Sequence, residues 1–162
     1  KIFSQNLSEL NLEDKDVELL ARDLVYNAEK YVFYEDALKI LPILYQNYKL
    51  GIVSDAWPSI SDVYAKKNLN GYFGCFVISS FLGVTKPNPL MYQTALDELN
   101  VSPNETMFID DNLKNIKGAI TLGINCVLLC RNKWVYYWHK LQSFGKRYIV
   151  INSLNEISKI LS

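Results

Sequence analysis

Residues 107–119 read MFIDDNLKNIKGA. A short apolar run stops at two adjacent acids, Asp110 and Asp111, and a helix-like segment follows. The run predicts a buried strand over 106–110. The continuation predicts a helix over 112–122 that ends at Gly123. Two like charges at a strand-to-helix turn need a reason. Two carboxylates within a few ångströms repel, and one holds its proton unless a cation lies between them. A hard divalent ion such as Mg²⁺ takes oxygen ligands and suits one or two carboxylates plus a phosphate. The other reading is that one aspartate caps the helix while its neighbour faces water. The pair alone leaves both open.

Working outward, the same alternation recurs. Leu50 to Val53, in KLGIVSD, reads as a buried strand, and CFVISS (75–80) reads as another. NCVLLC (125–130) and RYIVIN (147–152) add two more. Helices are expected over 12–31, 36–48, 62–69, 88–100 and 154–161. The first is acidic and amphipathic, with Val17, Leu20, Leu24 and Ala28 at helical spacing. Asn88 suits a helix cap, and Pro89 suits the first helical position. Strands without polar alternation, separated by helices, are parallel strands covered on both faces. The fold class is therefore α/β, a doubly wound, Rossmann-like parallel sheet. In such sheets chemistry gathers beyond the carboxyl ends of the strands. That directs attention to Ser54 and Asp55, to Ser79 and Ser80, and to Asp110 and Asp111.

Ser54 is placed to donate to a phosphate oxygen, or is an ordinary turn serine. Lys86, in GVTKPNP, offers a point charge for a phosphoryl group, or is a solvated loop lysine. Each signal is weak alone. Their order is the stronger signal: strand-Ser, loop-Lys-Pro, then strand-Asp-Asp-helix. The segments KLGIVSD, GVTKPNPLMYQTAL and FIDDNLKNIKGAITLGI resemble motifs two, three and four of the haloacid dehalogenase-like (HAD) hydrolase superfamily. VFYEDALKILPIL (32–44) is similar to the segment by which such chains return from a helical cap to the core. The resemblance covers roughly residues 33–162.

The resemblance implies a division into a remnant of a helical cap, 1–33, and an α/β core, 34–162. It implies a phosphatase-type member acting on a small phosphorylated metabolite. Ser54, Asp55 and Lys86 would bind the phosphoryl group, with Ser54 and Lys86 also catalytic. Asp110 and Asp111 would hold Mg²⁺. Asn115 stands where many members carry a further acid. The family's chemistry is attack by an aspartate on the phosphoryl group, giving an aspartyl-phosphate that water hydrolyses.

The family's first motif is a strand ending in Asp-x-Asp-x-Thr, whose first aspartate is the nucleophile. Asp14-Lys15-Asp16 has the spacing, but no apolar strand precedes it. It reads instead as a helix start with acids in its first turn. The expectation is a chain truncated at its N-terminus, without its first core strand and without its nucleophile. Loss of that strand leaves the edges ending at Ser54 and Asp110 without backbone partners; the alternatives are that these two strands pair directly or that another chain donates a strand. Two other functions stand beside the phosphatase. One is a catalytically incomplete binding module. The other is a haloacid dehalogenase, disfavoured by the acidic pair.

Composition narrows the partners. Seventeen basic and seventeen acidic residues cancel, which gives no overall case for nucleic acid or an anionic membrane. No apolar stretch spans a bilayer and the start is polar and acidic, so a cytoplasmic protein is expected. Oligomeric state is unreadable. Cys75, Cys126 and Cys130 read as buried small hydrophobes. Four residues of strand hold the last two about 13 Å apart, too far for one zinc ion. The stretch RNKWVYYWHK (131–140) admits base stacking or self-association, and packing on the sheet edge is the expectation. His139 reads as a surface or packing residue, and Trp57 as pocket or core.

Overall fold

Five short strands, each four or five residues long, carry the architecture. The structure is a computed structural model that describes residues 13–161. In chain order it runs α1 (Asp14–Tyr26), α2 (Glu35–Tyr45), β1 (Gly51–Ser54), α3 (Ile60–Lys66), β2 (Cys75–Ile78) and α4 (Ser79–Leu82). Then follow α5 (Pro89–Leu99), β3 (Met107–Asp110), α6 (Leu113–Thr121), β4 (Asn125–Leu129), α7 (Lys133–Gln142), β5 (Tyr148–Ile151) and α8 (Ile157–Leu161). Every strand pairing is parallel. β4 shows why its sequence lacks polar alternation. Cys126 and Leu128 face a core with Tyr92, Ile116 and Ala119, while Val127 faces the opposite core with Ile151 and Ile157. Both faces are covered, so both sets of side chains are apolar.

The sheet comes in two parts, β1-β2 and β3-β4-β5. β1 and β3 do not pair, so the smaller closed sheet considered from the sequence is not what forms. Helix α5 joins the parts. Its Met91 and Ala95 pack with Cys75 and Val77 of β2, and its Tyr92 and Leu96 pack against β4. Crowding by its β2 partner Cys75 and by Leu99 of α5 explains the glycine that opens β1. A Cβ on Gly51 would lie 2.5 Å from Cys75 Sγ and 3.1 Å from Leu99 Cδ1. The caps follow the sequence. Asn88 accepts from the Leu90 N–H, with Pro89 opening the helix. Asn112 accepts from the Lys114 N–H to open α6.

Other expectations are corrected. Ser79 and Ser80 do not end a strand; they begin the turn α4, which Gly83 closes at φ +69°. Helix α1 forms, but none of its residues is buried, and Leu20 and Leu24 of its apolar stripe are exposed. Residues 1–12, the rest of the expected cap remnant, lie outside the described residues. Asp14 and Asp16 stand in the first turn of α1, as expected of acids at a helix start. All three cysteines are free and buried. Among the described residues no helix is long and apolar enough to cross a membrane.

Candidate active site

The carboxyl ends of β1 and β3 come close enough for one lysine to touch both. Lys86 Nζ donates to the Val53 carbonyl at 2.9 Å and to Asp110 Oδ2 at 2.9 Å. Both side chains are almost out of water, at 10% and 7% exposed. The loop that carries Lys86 is held from β1 as well. Its backbone N–H donates to Asp55 Oδ1 at 2.9 Å. Ser79 Oγ, beyond β2, accepts from the Ala56 N–H at 3.1 Å and so steadies the turn after Ser54. Ser54, Asp55, Lys86 and Asp110, far apart in sequence, are thereby gathered at one edge of the fold. Trp57, in the same turn, is exposed, so it is not core.

The two adjacent aspartates have separate fates. Asp110 ends β3 and turns inward, while Asp111 lies in the bend that follows. Its Oδ1 accepts from the Asn112 N–H at 2.8 Å, and Asn115 Nδ2 reaches both carboxylate oxygens at 3.1 and 3.2 Å. Capping α6 falls to Asn112. Asp111 is exposed.

Asn115 is the one buried polar residue in the described core, and sequence reading left its role doubtful. It sits on the first turn of α6, on the side that looks back at β3, and an amide there can donate to the strand-end carboxylate. Its own carbonyl accepts from the Tyr92 hydroxyl at 2.9 Å. Burial pushes the Tyr92 phenol well above its ordinary range, and the nearby charges of Asp110 and Asp55 push the same way. Tyr92 therefore stays a neutral donor. It packs edge-on against Phe108, whose ring centroid lies 5.8 Å from Lys86 Nζ.

One more residue positions the site. A Cβ on Gly118 of α6 would lie 2.6 Å from Pro87 Cβ, 3.0 Å from the Pro87 carbonyl and 3.1 Å from the Tyr92 hydroxyl. Backbone and a bonded phenol cannot yield cheaply. Gly118→Ala is expected to cost about 1–3 kcal/mol in urea unfolding and to displace the lysine loop. A cost near zero would show that the loop adapts freely.

A divalent ion is a fair test of this donor set. Among the described residues no three carboxylate, histidine or cysteine side chains cluster as a metal cage. Asp111 is exposed and Asp110 shares its charge with Lys86. An ion here would keep several waters. That habit suits Mg²⁺, which dehydrates reluctantly, better than Ca²⁺ or Zn²⁺.

Comparisons with known proteins show the family. The family model for haloacid dehalogenase-like hydrolases matches residues 1–123. The chain is 30% identical over 132 residues to a glyceraldehyde 3-phosphate phosphatase of Methanopyrus kandleri, covering 75% of this chain and 55% of that protein. A crystal structure of a HAD phosphatase from Thermococcus onnurineus superposes with a TM-score of 0.74 at 26% identity, covering 97% of this chain and 68% of that one. A (S)-2-haloacid dehalogenase of Pseudomonas is 37% identical over a shorter stretch of 79 residues. The chain spans about half the length of the curated relatives it matches.

Proposed function

The chain belongs to the haloacid dehalogenase-like hydrolases, and from that premise we propose that it carries the phosphoryl- and metal-binding half of a Mg²⁺-dependent phosphatase site. The observation that carries the reading is the Lys86–Asp110 pair, held between the ends of β1 and β3. A lysine fixed at both ends of its side chain presents a positioned charge to a phosphoryl oxygen. Ser54, one residue past the carbonyl that Lys86 holds, supplies a hydroxyl donor. Asp55 keeps the lysine loop in place, and Asn115 keeps Asp110 turned toward Lys86. Asp110 and Asp111 would hold Mg²⁺, which when bound neutralises charge on the transferring phosphoryl group.

The nucleophile is assigned to an aspartate on a strand seated between β1 and β3. Those two edges are unpaired among the described residues, and unpaired parallel edges seek a partner. The substrate is a small phosphorylated metabolite, a reading supported by phosphatase-named relatives such as the glyceraldehyde 3-phosphate phosphatases. Residues 1–33 are read as part of a cap and 34–162 as the core, in a protein of the cytoplasm.

The test is phosphate release from an aryl phosphate. Two proteins are compared: the 162-residue chain, and the same chain extended by an apolar strand ending in Asp-x-Asp-x-Thr. Turnover is expected in the extended chain alone. It should vanish with chelator and fall by about 10²–10³ in Asp111→Ala. Halide release from a 2-haloacid without added metal would favour the dehalogenase, and chelator-resistant turnover of the aryl phosphate would count against a Mg²⁺ site. A folded, extended chain that binds phosphate without turnover would be the incomplete binding module.

A further inference from the structure

The balanced net charge hides an uneven distribution. Residues 112–155 contain seven lysines and arginines and no acid. In the middle of that stretch lies α7, and the structure turns its aromatics outward. Only Tyr136 packs against the core. Trp134 is 85% exposed, Leu141 78% and Phe144 95%, with Tyr137 and Trp138 also exposed. Trp134, Trp138 and Leu141 recur at helical spacing and form one stripe. Packing on the sheet edge, expected from composition, is therefore true of Tyr136 and not of its neighbours. Lys133 precedes the stripe on α7, and Lys146 and Arg147 follow Phe144; all three are exposed, whereas the Lys140 ammonium turns back to the Val150 carbonyl at 3.2 Å. Exposed Lys114 and Lys117 belong to α6, which packs on the same face of β4 and β5 as Tyr136.

We infer that the α7 face docks on an anionic lipid bilayer, with Trp134, Trp138, Leu141 and Phe144 at the headgroup boundary and the lysines over the phosphates. Charge selects this occupant. A twofold contact between copies sets a patch against itself. Here that would oppose cations with no acid on the patch to answer them. Of the carboxylates bordering the stretch, Asp36 is engaged by Arg131 and Glu156 by the Asn152 and Ser153 N–H groups, which leaves exposed Asp111 beside Lys114 as one acid against seven cations. A single-stranded nucleic acid would match the charge, but stacking proteins combine their aromatics with a groove that tracks the backbone. Trp134, Trp138 and Phe144 project instead from the outer face of a helix and the turn after it. Tryptophan and tyrosine beside lysine on a short helix are the composition of an in-plane interfacial anchor. The cytoplasmic leaflet supplies the negative surface.

The test is co-sedimentation of the full chain with phosphatidylcholine vesicles, with and without phosphatidylglycerol. A Trp57→Phe background leaves Trp134 and Trp138 to report by fluorescence. Binding to the anionic vesicles alone is expected, with a blue shift and a steep fall at high salt. Trp134→Ser and Phe144→Ser should each weaken it at least about tenfold. Lys133→Gln and Lys146→Gln should each weaken it about fivefold. Circular dichroism checks that the variants fold, and the salt dependence of the unaltered face stands independently of them. No vesicle binding, equal binding to neutral vesicles, a stable dimer that shields the tryptophans, or capture of an oligonucleotide but not of vesicles would each overturn the inference.

Discussion

Lys86→Met is expected to lower stability by about 3 kcal/mol and to remove phosphoryl transfer by the strand-extended chain. The two losses have different origins. Lys86 and Asp110 are nearly buried, and breaking a buried pair from one side strands the other charge, at a typical cost of about 3–5 kcal/mol. Asn115 and the Asn112 N–H still donate to Asp110 after the change, which keeps the cost at the low end. The Val53 carbonyl also loses its donor. A second substitution separates structure from chemistry. In Lys86→Met/Asp110→Asn no charge is left unpaired, so roughly half of the lost stability should return. Activity of the strand-extended chain should not return. Urea unfolding of the three proteins, with an unchanged denaturant slope, reads the first effect, and aryl phosphate turnover reads the second. A single-variant cost below about 0.5 kcal/mol would mean that the pair is solvated and that Lys86 does not hold the two strand ends together.

Much of this arrangement was legible in the sequence, for local reasons. Apolar runs that stop at Ser54 and Asp110 read directly as buried parallel strands, and their ends lie where the runs stop. Asn88-Pro89 and Asn112 announce their helices because a cap is made by a residue and its next two or three neighbours. What was not legible depends on groups brought together from afar. Asn115 reaches Asp110 only because α6 folds back on β3. The stripe on α1 marks an apolar face but does not say what covers it, and among the described residues its leucines stay exposed. The aromatics of α7 look like core by composition, yet one ring packs and the rest face outward. The missing first motif announced open edges on β1 and β3, but no local pattern foretold that α5 would span both sheet parts. Nor did any pattern link Asp36 to Arg131, residues that stand 95 positions apart.

That last contact supports the other large expected effect. Asp36 opens α2 and accepts from both ends of the Arg131 guanidinium at 2.9 and 3.0 Å. It also accepts from Ser153 Oγ at 2.9 Å and the Leu154 N–H at 2.8 Å. Arg131 lies flat on the Tyr34 ring, 3.7 Å from its centroid. One carboxylate thus ties the entry to the core, the turn after β4 and the turn after β5. Burial alone would raise its pKa. The Arg131, Leu154 and Ser153 hydrogen bonds and the Arg131 charge outweigh burial and hold it at about 2, against an ordinary 3.8. A carboxylate with a depressed pKa stabilises the folded chain fully above about pH 4, and that support is lost as the pH falls through about 2. The gap corresponds to about 2 kcal/mol. Asp36→Asn presents an amide to a ring of donors. It is expected to cost about 2–3 kcal/mol at pH 7, with the difference from the unaltered chain shrinking between pH 4 and pH 2. Urea midpoints across that range measure it. A difference that stays constant down to pH 2 would show that Asp36 acts through shape and packing, and that its charge contributes nothing to joining α2 to the sheet.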